Sequence, residues 1–144
     1  MTFPPLKSPL KFYAVVPTAD WVERMVEAGA NTVQLRCKTL HGDELKCEIA
    51  RCVAACQSSR TQLFINDHWR EAIAAGAYGV HLGQEDMDTA NLAAIEAAGL
   101  RLGLSTHSVA ELDRALSVHP SYVASGAIFP TTTKQMPTAP QGLD

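Results

Sequence analysis

Apolar residues along this chain follow two alternating rhythms. Short β-rich runs, "KFYAVVP", "NTVQLRCK", "QLFIND", "YGVHLG", "LRLGLS" and "SYVASGAIF", predict six strands. The stretches between them, "DWVERMVEAGA", "GDELKCEIARCVAACQSS", "HWREAIAAG", "DTANLAAIEAAG" and "SVAELDRALSVH", predict five helices. In the first helix Trp21, Met25 and Ala28 are expected to share one face, and Gly29 to end it. Asp43 is expected to cap the second, and Gly76 and Gly99 to close the third and fourth. The pair Ser108 and Glu111 forms a candidate capping box for the fifth.

Strict β/α alternation implies parallel strands joined by right-handed helical crossovers. Two closures satisfy that pattern, an open doubly wound sheet and a closed (β/α)8 barrel. No G-x-G-x-x-G follows the first strand, which weakens a dinucleotide reading. Residues 1–144 read as one domain, with no low-complexity linker.

Composition narrows the picture further. The 144 residues are 47% hydrophobic and 19% charged, enough apolar material for a folded core. A net charge of −3 with no basic run argues against nucleic acid or an anionic membrane as partner. The prolines of "MTFPPLKSPLKF" interrupt any signal-peptide core, so we expect a short extended lead-in and a cytoplasmic protein. Cys47, Cys52 and Cys56 lie in the second helix, where Leu45, Ile49, Cys52, Val53 and Cys56 fall on one face. Together with Cys37 they form no C-x-x-C pair, and cysteine serves here as a small apolar residue.

The polar residues then carry the candidate chemistry. In "VQLRCK", Val33, Leu35 and Cys37 face one way while Gln34, Arg36 and Lys38 face the other. Three polar groups on one face of a covered strand need partners, which an interior ligand or an ion-pair network would supply. Asn66 and Asp67 fall at the carboxyl end of the third strand, the edge where α/β folds bind ligands, although Asp67 could equally cap the next helix. Asp86 sits in the loop after the fourth strand, where Gly83 permits a close turn. Two carboxylates from adjacent loops suit a hard cation such as Mg2+ whose shell is completed by phosphate oxygens. Ser105 ends the fifth strand at the same edge. His81 and His107 read as structural or capping histidines. The tail "IFPTTTKQMPTAPQGLD" offers hydroxyl and backbone donors at Thr131, Thr132 and Thr133, and a cation at Lys134 suited to phosphate. This inventory fits a diphosphate bound with Mg2+ and contains no good nucleophile. Its chemistry is the electrostatic stabilisation of a departing diphosphate.

The segments "VQLRCK", "FINDHWREAIAAGAYGVHLGQEDM", "GLSTHSVAEL" and "GAIFPTTTKQMPTAPQGL" together closely resemble the thiamine phosphate synthase family of (β/α)8-barrel transferases. The resemblance implies condensation of 4-amino-2-methyl-5-(diphosphooxymethyl)pyrimidine with 4-methyl-5-(2-phosphooxyethyl)thiazole, giving thiamine phosphate and diphosphate. By matching position, Gln34, Arg36, Lys38, Asn66, Ser105 and Lys134 would contact the pyrimidine diphosphate. Asp67 and Asp86 would hold Mg2+. Thr131, Thr132 and Thr133 would meet the thiazole phosphate, and Lys134 and Ser105 are the catalytic candidates.

Family members are longer and complete the barrel, so the expected architecture is incomplete, running from the first βα unit to the sixth strand. The chain alone is then expected to be weakly active or inactive. Self-association or complementation through its exposed edge strands is a further expectation. The alternative is a non-catalytic or regulatory relative that binds a phosphate ligand on the same barrel.

Overall fold

The computed structural model describes residues 1–126. Its elements are β1 (Tyr13–Val16), α1 (Ala19–Glu27), β2 (Thr32–Leu35), α2 (Gly42–Gln57), β3 (Gln62–Asn66), α3 (Trp69–Ala75) and β4 (Gly79–Leu82). These are followed by α4 (Gln84–Thr89), α5 (Leu92–Ala97), β5 (Arg101–Thr106), α6 (Val109–Leu116) and β6 (Tyr122–Ser125). All five strand pairings are parallel, and the sheet order is simply β1-β2-β3-β4-β5-β6. A doubly wound sheet reverses its strand order at a switch point. This sheet never does, so the fold is an incomplete TIM-type barrel and the open-sheet alternative falls away.

The period of two along each strand separates two interiors. Val16, Val33, Leu35, Leu63, Ile65, Val80, Leu82, Leu102 and Leu104 turn outward and pack under the helices in one apolar cluster. From α2 come Leu45, Ile49, Cys52, Val53 and Cys56, all buried as the spacing predicted. Burial of thiol among apolar neighbours pushes Cys52 up to about 12 and Cys56 up to about 11, so both stay protonated. The inner face is different: Phe64 stacks with Tyr13 and meets Tyr78 and Tyr122 edge-on. Gly79 and Gly103 make room for these rings. A Cβ on Gly79 would lie 2.5 Å from Phe64 Cε1, and one on Gly103 would lie 2.1 Å from Tyr122 Cζ.

The helix ends show where local signals acted. Thr18 caps α1 and Ser108 caps α6 through backbone N–H donors at Trp21 and Glu111. The reciprocal arm of the expected capping box is displaced by one residue, because the Glu111 carboxylate accepts from the His107 N–H at 2.7 Å rather than from Ser108. Gly76 ends α3 with φ 69°, and Gly29 and Gly99 likewise take positive φ just beyond α1 and α5.

Three expectations are corrected. Asp43 is not the cap of α2; the N-cap is His41, and Asp43 lies in the first turn, where its charge still suits the helix dipole. The buried face of α1 is Ala19 and Val22, with Met25 and Val26 half-buried, while Trp21 is 43% exposed beneath the Arg24 guanidinium. The single helix expected across residues 88–99 is two short ones, because Ala90 is extended and Asn91 starts α5 afresh by accepting from the Ala94 N–H.

Residues 2–8 run as an extended strap beneath the amino ends of the strands. Thr2 donates to Glu96, Phe3 to the His119 carbonyl and Lys7 to the Tyr78 hydroxyl. The Pro4 and Pro5 carbonyls accept from Ser121 and Arg101. Phe3 is buried in the core. None of the described helices is long and apolar enough to cross a membrane.

Candidate active site at the carboxyl edge of the strands

The inner face opens at the carboxyl ends of the strands into a pocket of about 570 Å3. Gln34, Arg36 and Lys38 line it from β2 and the loop beyond, confirming the face predicted by alternation. Asn66 and Asp67 enter from the end of β3, Asp86 from α4 and Ser105 from β5. Seven of the eleven site residues singled out from the sequence thus meet His81 and His107 around one cavity. Thr131, Thr132, Thr133 and Lys134 lie outside the described residues.

Asp67 settles its own alternative. It does not cap α3, whose N-cap is His68 without a side-chain cap. Instead the backbone of Asp67 takes φ 64°, a left-handed conformation uncommon outside glycine, which turns its carboxylate toward the cavity. There it pairs with the Lys38 ammonium, which also donates to Asn66 Oδ1 at 2.9 Å. Asp86 lies within the first turn of α4, not in the preceding loop as expected, and its Oδ2 accepts from the Gly83 N–H at 3.3 Å. Gly83 itself is extended, with φ −82°, so no left-handed turn is needed there.

The two carboxyl groups hydrogen-bond to each other. Burial raises both, but the hydrogen bonds from Lys38 and Asp86 outweigh it at Asp67, leaving that group below its ordinary value. At Asp86 burial and the neighbouring Asp67 charge act together and raise it. Of the two, Asp86 is therefore the carboxylate that takes up a proton first as the pH falls. Such a pair fits a hard divalent cation, which would relieve the repulsion between the two carboxylates. Among the described residues no set of three or more His, Cys, Asp or Glu side chains forms a ready-made cage, so further ligands would have to be phosphate oxygens or water.

Deeper in the pocket His81 is 6% exposed and bonded on both ring nitrogens, to Tyr122 at 2.7 Å and Ser105 at 2.6 Å. Burial lowers it to about 4, so the ring is neutral near pH 7. Its expected structural role is thus combined with a place in the pocket wall. His107, for which no partner was foreseen, sits 3.1 Å from Glu111 one helical turn on. Tyr13 and Tyr122 were missed altogether. The available signal was the pair of mid-strand glycines, Gly79 and Gly103, because glycine inside a strand marks the close approach of another group.

Sequential parallel strands, an outer apolar layer under the helices and a polar cavity at the carboxyl edge define an incomplete βα-barrel, with that cavity at the edge where such folds bind ligands. The chain belongs to the thiamine monophosphate synthase family, whose model matches residues 12–144. It is 93% identical to the thiamine-phosphate synthase of Neisseria meningitidis serogroup A over 144 residues, covering all of this chain and 70% of that protein. The thiamine-phosphate synthase of Neisseria gonorrhoeae is 90% identical, with the same coverage. That of Escherichia coli O1:K1 is 51% identical over 142 residues, 99% of this chain and 67% of the relative. The solved thiamine phosphate pyrophosphorylase of Pyrococcus furiosus superposes with a TM-score of 0.74 at 27% identity. That match covers 85% of this chain and 62% of the archaeal one.

Proposed function

We propose that this pocket binds 4-amino-2-methyl-5-(diphosphooxymethyl)pyrimidine with Mg2+, and that the barrel joins its pyrimidine methylene to the nitrogen of 4-methyl-5-(2-phosphooxyethyl)thiazole. The observation that carries this reading is the Asp67–Asp86 pair beside Lys38 at the pocket mouth, an arrangement of two carboxylates and a cation that complements a metal-bound diphosphate. Asp67 and Asp86 would hold Mg2+, which when bound neutralises charge on the diphosphate. Arg36 and Lys38 extend cationic side chains from the loop after β2 to the same opening, and Lys134 would add a third cation. Gln34, Asn66 and Ser105 supply hydrogen bonds to the same substrate. Thr131, Thr132 and Thr133 would receive the thiazole phosphate. Departure of diphosphate breaks the methylene C–O bond with its electron pair, and the thiazole nitrogen lone pair forms the new C–N bond. No side-chain nucleophile is required, which agrees with a pocket that offers cations and neutral donors.

Calorimetric titration with the pyrimidine diphosphate tests the reading. Binding that requires Mg2+ and is lost in Asp67→Asn is expected; equal binding with and without Mg2+ would overturn it. Diphosphate release with both substrates measures turnover, and tight binding without turnover would mark a ligand-holding relative. Four free cysteines support a reducing, cytoplasmic setting. Self-association is proposed through β1 and β6, the edges of the sheet among the described residues, where Phe12 just before β1 and Val15 within it are exposed. Light scattering on the purified chain checks this, and a monomer at all concentrations would refute it.

A further inference from the structure

A single run of hydrogen bonds crosses the pocket from Lys38 to Ser105, and its donors can be followed in order. An ammonium only donates, so Lys38 fixes the Asn66 amide with Oδ1 toward itself at 2.9 Å. The Asn66 Nδ2 then donates to Gln34 Oε1 at 2.9 Å, and Gln34 Nε2 donates to the Tyr13 hydroxyl at 3.0 Å. The Tyr13 proton has one acceptor left in this run, the Tyr122 hydroxyl. Tyr122, having accepted, turns its own proton to His81 Nδ1 at 2.7 Å. A neutral imidazole that accepts at Nδ1 carries its hydrogen on Nε2, so His81 donates to Ser105 Oγ at 2.6 Å.

The opposite polarity would leave the Tyr13 proton without an acceptor inside the barrel. Burial raises both phenols and lowers His81, so each tyrosine keeps its proton and the imidazole has only one. No buried side-chain N or O among the described residues lacks a partner. Three bonds join four protons from Tyr13 to Ser105, so one hydroxyl proton stays outside the run; because Gln34 already donates to Tyr13, Tyr13 is the donor to Tyr122 and the spare proton falls on Ser105.

We propose that Tyr13, Tyr122 and His81 are positioning residues that hold His81 in its Nε2–H tautomer, so that Ser105 accepts from His81 and presents its own hydroxyl proton to an anionic ligand oxygen in the pocket. Reversed, Ser105 would spend that proton on His81 and turn lone pairs toward the anion. The direction of the whole run is set at its far end, by a lysine that itself faces the ligand. This extends the proposed diphosphate reading and rests on it for the identity of the anion.

The tautomer is read directly on the ligand-free chain from the ring 15N shifts of His81, correlated to its carbon-bound protons. A predominant Nε2–H signal is expected; a predominant Nδ1–H signal overturns the proposal whether or not any ligand binds. Tyr13→Phe removes the link that transmits direction. It should convert His81 to a tautomer mixture and weaken inorganic pyrophosphate binding in Mg2+ by about tenfold. His81→Gln, which keeps an acceptor and a donor on one side chain, should hold pyrophosphate affinity within about threefold, whereas His81→Ala should not. Equal losses in His81→Gln and His81→Ala would count against positioning. Failure of the parent chain to bind pyrophosphate would defeat the diphosphate reading while leaving the tautomer result to decide the polarity.

Discussion

Replacing Gly103 by alanine isolates the steric role of the strand glycines. Gly103 lies in register between His81 on β4 and Tyr122 on β6, and its φ is not in the left-handed region, so an alanine backbone is unstrained there. The added Cβ would lie 2.1 Å from Tyr122 Cζ and 2.3 Å from its hydroxyl, so the ring must move. Overpacking of this kind costs about 1–3 kcal/mol. Displacing the ring also breaks its hydrogen bonds to His81 and Tyr13, about 1 kcal/mol each. Restricting the unfolded chain returns about 0.4–1 kcal/mol, and the net loss is about 2–5 kcal/mol. Urea denaturation followed by circular dichroism measures it, with the midpoint read at unchanged slope. In a Tyr122→Ala background the same substitution should be close to neutral, since the Cβ then enters vacated space. A loss of equal size in both backgrounds, or a loss below about 0.5 kcal/mol in the parent, would refute the account.

Three further outcomes follow from the site and the core. As the pH falls into the raised range of Asp86, Mg2+ binding should release the proton that Asp86 takes up, with correspondingly more proton uptake by buffer; titration in buffers of different ionisation enthalpy reports it, and Asp67→Asn should abolish it. His81 titrates at about 4 when folded against an ordinary 6.5, so the unfolded state binds its proton first. Its stabilising contribution is complete above that ordinary value and is lost as pH falls through the window, about 3 kcal/mol in all, which an NMR titration and the pH slope of stability against His81→Asn would show. Ellman's reagent should modify Cys47, which is exposed, within minutes in the native protein, while Cys52 and Cys56 react only on unfolding.

The strands and the outer core were legible because a period of two is hard to disguise. Gln34, Arg36 and Lys38 could be assigned to one face from six letters, and the α2 stripe from fourteen. Asp67 and Asp86 were found by their position after strands, although nothing in the sequence distinguished a helix cap from a left-handed residue aimed at the cavity. In the run Leu63, Phe64 and Ile65 all three are buried, yet Phe64 turns to the aromatic interior while its neighbours join the outer core, a division that the apolar letters alone do not reveal. The break at Ala90 was concealed by good helix formers on both sides; only Asn91, a capping residue, announced it. Trp21 misled because size suggested burial, whereas packing selected the smaller Ala19 and Val22 against α2. The path through Tyr13, Tyr122 and His81 joins residues as many as 109 positions apart, and no local pattern reports such a meeting.

The strap beneath the barrel bears on the order in which the molecule assembles. Each βα unit docks on its predecessor through contacts near in sequence, so the strands can add one after another as the chain lengthens. Residues 2–8, by contrast, find their partners at Gln62, Tyr78, Glu96, Arg101, His119 and Ser121. During synthesis this segment leaves the ribosome ahead of everything it will bind and must wait for more than a hundred residues to follow. Closing so long a loop costs only slightly more entropy than closing one half its length. The delay is therefore kinetic: the underside of the barrel stays open until late, and the strap acts as a clasp that fastens after the sheet has formed.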